Sequence, residues 1–169
     1  MISTLPQLSR IFLLRHAEAA QAQPGERDFD RALNDNGFAQ AEIVADRAAD
    51  KGYRPDIVIS STALRCRQTT DAFKRATGAT TEVEYVDGLY EASQTTYLEI
   101  LSAQTADNSI MMVGHNPIIS QVLEALIGHD AMQKSLPGGF PTAGFAVLDA
   151  IEKTDSSGVT WILSDFLRE

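Results

Sequence analysis

The chain has 169 residues, 44% hydrophobic and 22% charged, with 14 Lys and Arg against 23 Asp and Glu for a formal charge of −9. This is the size and composition of one soluble domain able to bury a sizeable core, and the single cysteine, Cys66, has no intrachain disulfide partner. No apolar run approaches the ~18 residues of a membrane span, no basic start with a long apolar stretch marks a signal peptide, and no Lys/Arg cluster suits nucleic acid or anionic lipid. The expectation is a cytoplasmic protein with no nucleic-acid and no membrane partner.

Apolar runs of strand length alternate with segments of helical period, which predicts an α/β fold: a three-layer α/β/α sandwich around a mainly parallel central sheet. The first run is Ile11 to Leu14. A helix follows from Asn34 or Asp35 to about Lys51, with Phe38, Ala41, Val44, Ala45 and Ala48 as its apolar stripe and Gly52 as its stop. Ile57 to Ile59 is the second strand, Thr62 to Ala76 the next helix, closed by Gly78, and Val83, Tyr85 and Val86 a weaker third strand. Thr96 with Glu99 reads as a capping box before a short helix.

The fourth run, Ile110 to Val113, is apolar at consecutive positions, as a strand covered on both faces must be. Asn116-Pro117 reads as N-cap and first residue of a helix whose stripe is Ile119, Val122, Leu123 and Leu126, and Gly128 ends it. From there to Pro141 the composition is that of a loop. Phe145 to Leu148 and Val159 to Leu163, separated by Asp155-Ser156-Ser157-Gly158, form a hairpin. No repeat or linker interrupts the chain, so a single domain over residues 1–169 is expected.

Ligands in such sheets bind beyond the carboxyl ends of the strands. The first run exits into Arg15-His16-Ala17-Glu18, the second into Ser60-Ser61 with Arg65 a turn later, the fourth into Gly114-His115-Asn116-Pro117. Two arginines and two histidines on one rim suit a tetrahedral oxyanion, because a guanidinium is a permanently charged fork of donors. The helix start at Asn116 is expected to add free N–H groups. Neither G-x-x-x-x-G-K-[ST] nor G-x-G-x-x-G is present, so side chains must hold the phosphate.

Three segments carry a resemblance: Leu13 to Glu18, Ser61 to Thr69 (Ser-Thr-Ala-Leu-Arg-Cys-Arg-Gln-Thr), and Val113 to Pro117. They resemble the histidine phosphatase superfamily, which includes the phosphoglycerate mutases, and are most similar to its short SixA-type phosphohistidine phosphatase branch. Arg31 to Asn34 and Pro141 to Ala143 extend the likeness over nearly the full chain. Ala17 stands where the broader family often has Gly. The resemblance implies a phosphatase without metal or other cofactor, acting on a phosphorylated protein (phosphohistidine) or on a small phosphate ester.

In that reading His16 is the nucleophile and forms a phosphohistidine intermediate. Arg15, Arg65 and His115, with Asn116, bind the phosphoryl group, and the two arginines keep the His16 imidazole neutral. Glu91 is the expected proton donor, with Glu18 as the alternative. Arg31 either lines the mouth or is an ordinary surface arginine. Arg67, two residues from Arg65, faces away; Cys66 is a packed thiol, His129 a solvent-facing turn residue, and Met111 and Met112 are strand core. Two other classes stay open: a non-catalytic module that recognises phosphate, and a metallohydrolase using His16, His115 and Glu91, which two neighbouring arginines disfavour by repelling a cation.

Overall fold

A computed structural model of the chain describes residues 8–78, 81–104, 109–152 and 159–169. In chain order these form β1 (Arg10–Arg15), α1 (Asp35–Asp50), β2 (Ile57–Ser61), α2 (Leu64–Thr77), β3 (Val83–Val86), α3 (Gln94–Ser102), β4 (Ser109–Gly114), α4 (Ile118–Ile127), α5 (His129–Ser135), β5 (Phe145–Glu152) and β6 (Val159–Leu167). Single 3-10 turns lie at Asp28–Asp30 and Asp87–Leu89.

The strands make one mixed sheet in the order β3-β2-β4-β1-β5-β6. β3, β2, β4 and β1 pair in parallel, while β5 runs antiparallel to both β1 and β6. The parallel exits of β1, β2 and β4 therefore lie at one end of the sheet, with Arg15 opposite Gly114 and Ser60 opposite Val113. The strand alternation divides the core in two. Phe12, Leu14, Met111, Val113, Phe145 and Val147 pack with the small side chains of α1 and with Cys66 and Phe73 of α2. Ile11, Leu13, Ile110, Met112, Ala146 and Leu148 pack on the other face with Ile119, Val122 and Leu123 of α4. Met111 and Met112 are thus core residues of opposite layers.

Several local expectations are corrected. Phe38 is 41% exposed; Gln40 is buried instead, its Oε1 accepting from the Glu18 N–H and the Thr142 hydroxyl. That close crossing demands Gly37, where a Cβ would collide with the Glu18 carbonyl. The cap of α3 is Ser93, whose hydroxyl accepts from the Thr96 N–H, so Thr96 lies inside the helix. α4 begins at Ile118 after Pro117, and Asn116 Oδ1 reaches the Ser120 N–H from one residue further out. Residues after Gly128 do not stay irregular: His129 opens α5, with only Met132 buried. The turn expected at 155–158 lies outside the described residues.

Candidate active site

His16 is held by the main chain on every side. The Arg15 N–H donates to Gly144 O and the His16 N–H to Gly114 O, each at 3.1 Å, and His16 O accepts from the Ala143 N–H at 3.1 Å. Ala17 N–H donates to Thr69 Oγ1 at 3.0 Å, and that hydroxyl donates to Arg65 O at 2.7 Å, tying the β1 exit to the first turns of α2. Ala143 sits at φ 56°, a left-handed conformation costly for a residue with a Cβ, and the surrounding bonds maintain it.

The His16 ring places Nδ1 2.7 Å from Ala17 O. A carbonyl can only accept, so Nδ1 carries the proton and Nε2 keeps a free lone pair. Burial is the first cause that pushes the imidazole pKa down to about 3, with His115, Arg65 and Arg15 adding to it. Desolvation thus outweighs the two arginines that were expected to keep the ring neutral.

His115, at the exit of β4, lies beside His16 with ring centroids 5.3 Å apart. Its Nε2 is 2.8 Å from Ser61 Oγ and 3.5 Å from Cys66 Sγ. Burial, then the Arg65 charge, lowers its pKa to about 4, so this ring is also neutral. Arg15 donates from Nη1 to Phe140 O at 2.8 Å. Arg65, only 5% exposed, donates from Nη1 to Asp28 O at 2.7 Å and from Nη2 to Asp28 Oδ2 at 3.0 Å. Arg15 Nε, Arg65 Nε and His115 Nδ1 are buried and have no partner among the described residues. Buried guanidinium donors are costly unless an acceptor meets them, and an oxyanion is such an acceptor.

The remaining expected residues make other contacts or none, and Arg31 and Asn116 share partners with Arg65 and Arg15. The Glu18 carboxylate accepts from Asn34 Nδ2 and Asn36 Nδ2, both at 2.7 Å, and these bonds hold it ionised at the α1 N-terminus. Glu91 is exposed and makes no hydrogen bond or ion pair among the described residues. Arg31 donates to Asp28 Oδ1 at 2.8 Å and to Ala20 O at 3.0 Å. Asn116 donates to Phe140 O at 3.1 Å and accepts from Ser120, while the Ile119 N–H is taken by His115 O. The α4 start therefore offers fewer free N–H groups than expected. Arg67 turns outward and stacks over Tyr85, with 5.0 Å between its guanidinium carbon and the ring centroid. Cys66 is fully buried, and burial pushes its thiol up to about 12, which excludes a thiolate nucleophile near neutrality.

Two residues join the rim unannounced. The Asp28 carboxylate is the hub of Arg65, Arg31 and the Tyr90 hydroxyl, which donates to it at 2.6 Å. The Tyr90 bond, with the two arginines, keeps its pKa near 2. Tyr90 lays its edge against His115 at 5.7 Å and Phe29 packs on Tyr90 at 5.1 Å, so the two 3-10 turns meet over the rim. The i,i+3 spacing of Asp28 and Arg31 is the only sequence signal for this hub, and it reads equally as a local ion pair.

Sheet and rim together make a mixed α/β fold with buried arginine and histidine nitrogens gathered at the strand exits. Residues 11–97 match the family model of the histidine phosphatase superfamily (branch 1). The chain belongs to that superfamily and is a phosphatase. Among solved structures, it is similar to an Agrobacterium tumefaciens protein assigned as the phosphohistidine phosphatase SixA, with 53% identity, a TM-score of 0.89, and 96% of this chain and 99% of the other covered. A SixA assignment from Nakamurella multipartitia is 28% identical with a TM-score of 0.73, covering 94% and 95% of the two chains. An uncharacterised Mycobacterium tuberculosis protein is 33% identical over 141 residues, 80% of this chain and 85% of that one. Among the described residues no helix is long and apolar enough to cross a membrane.

Proposed function

We propose that this phosphatase transfers the phosphoryl group to His16 Nε2 and then to water, and that its preferred substrate is phosphohistidine on a protein. The observation that carries the mechanism is the Nδ1 to Ala17 O bond on a buried, neutral His16 beside the unpartnered Nε donors of Arg15 and Arg65. The lone pair of Nε2 attacks phosphorus as the bond to the leaving group breaks. Arg15, Arg65 and His115 meet the charge on the phosphoryl oxygens, where phosphoryl transfer gains most of its rate. Water then attacks the phosphohistidine, releases phosphate and restores His16.

What supports the substrate preference is the placement of the carboxyl groups. Glu18 is occupied by two asparagines, Asp28 is held ionised, and Glu91 bonds to no site residue. An alkoxide leaving group needs a proton delivered. A substrate imidazole protonated on its other ring nitrogen departs neutral and needs none. The two SixA assignments point the same way.

The test compares turnover of a histidine-phosphorylated protein with that of a small alkyl phosphate ester, each with and without chelator. Faster hydrolysis of the phosphoprotein, insensitive to chelator and abolished by His16→Ala, is expected. Equal or faster ester hydrolysis overturns the substrate preference, loss on chelation overturns the metal-independent mechanism, and phosphate binding without any turnover overturns catalysis.

A further inference from the structure

Ser61 ends β2 fully buried, and its hydroxyl lies 2.8 Å from His115 Nε2. Either atom of that pair can be the donor in principle, and the choice decides what His115 offers at its other nitrogen. Ser61 Oγ already accepts from the Ala63 N–H at 3.3 Å. A hydroxyl has one proton, and burying that proton without an acceptor is costly. His115 Nε2 is the acceptor its hydrogen bonds provide. The Cys66 thiol, a weaker donor, stands further from the same nitrogen at 3.5 Å and has Gly114 O at 3.8 Å as its alternative. The reverse assignment leaves the hydroxyl proton only the Cys66 sulfur, a weak acceptor, and buries a bare Nδ1 lone pair in the site.

We infer that Ser61 is a positioning residue that donates to His115 Nε2 and thereby fixes His115 as the Nδ1–H tautomer. His16 and His115 then share one tautomer but are mounted back to front. His16 spends its Nδ1–H on Ala17 O and offers the Nε2 lone pair to phosphorus. His115 receives at Nε2 and offers the Nδ1–H, unpartnered and buried, to a phosphoryl oxygen. One ring is thus a nucleophile and its neighbour a hydrogen-bond donor at the same pH, without either being charged. This rests on the proposed phosphoryl-binding role of His115.

The measurement is the tautomer itself, read from long-range proton–nitrogen spectra of the full chain labelled with nitrogen-15 histidine, at pH 7. His115→Gln identifies the His115 signals. A protonated Nδ1 and an unprotonated Nε2 are expected at His115, and Ser61→Ala is expected to populate the Nε2–H form and lower kcat/KM about tenfold. Ser61→Thr, which keeps the hydroxyl, restores the wild-type pattern. An Nε2–H tautomer in the wild-type protein overturns the inference whether or not the enzyme is active. An unchanged His115 spectrum in a folded Ser61→Ala variant overturns it too. Absence of turnover on every phosphate substrate, with the wild-type Nδ1–H signal intact, instead defeats the functional reading and leaves the tautomer standing.

Discussion

The parallel half of the sheet and the approach to the β5–β6 hairpin serve the same rim by different means. Exits from β1, β2 and β4 deliver side chains: Arg15, His16, Ser61 and His115. The segment from Phe140 to Gly144 delivers only main chain, through Phe140 O to Arg15 and Asn116, Ala143 N–H to His16 O, and Gly144 O to the Arg15 N–H. The first region chooses the chemistry; the second holds it in register. Substitutions in one should change what reacts, and in the other how firmly it is held.

The largest expected effect lies in the parallel half: His16→Ala should lower turnover by at least ~10³-fold, measured on any accepted substrate. Arg65→Ala, which removes a charged donor, should cost ~10²–10³-fold in kcat with the fold intact by circular dichroism. On the hairpin side, a Cβ at Gly144 would stand 2.8 Å from Pro141 O and 2.9 Å from Phe166 Cζ. Gly144→Ala should therefore cost about 1–3 kcal/mol in denaturant unfolding and reduce kcat less than Arg65→Ala does. A folded Gly144→Ala protein as inactive as Arg65→Ala would erase the division between the regions.

Acid titration sharpens the same contrast. Unfolded histidine takes up its proton near pH 6.5, whereas folded His16 and His115 resist to about 3 and 4. The unfolded chain therefore binds more protons as pH falls below 6.5, and stability should decline from there until about pH 4 for His115 and about pH 3 for His16. The contribution is fully present above 6.5. Unfolding free energies measured between pH 7 and 4 should fall less steeply in His16→Ala than in the wild type. The smallest effect belongs to Glu18→Gln, expected to leave kcat within about twofold, since its carboxylate binds Asn34 and Asn36 rather than the rim. A tenfold loss would return it to the chemistry as an acid.

Much of this was legible because strands covered on both faces must be apolar at consecutive positions, so Ile11 to Leu14 and Ile110 to Val113 mark both the sheet and the place where chemistry begins. The Arg-His and Gly-His exits follow directly. α5 escaped because a seven-residue helix with one buried side chain has no period to read. Phe38 was misplaced because the stripe counts only apolarity, while Gln40 is drawn inward by polar partners from residues 18 and 142. Asp28 and Tyr90 were silent for a related reason: they bond Arg65 and each other across 37 and 62 residues of chain, and their immediate sequence neighbours give no hint of such partners.

Cys66 sits directly behind His115, wholly covered, with a thiol too basic to ionise near neutrality. Thiol reagents can then reach it only through molecules that have opened at the junction of β4 and α2. The protein carries its own gauge of that opening: the rate at which Cys66 is alkylated reports the fraction of molecules whose β4–α2 junction stands apart. An occupying oxyanion such as vanadate, by holding that wall shut, should slow the labelling in proportion to its saturation.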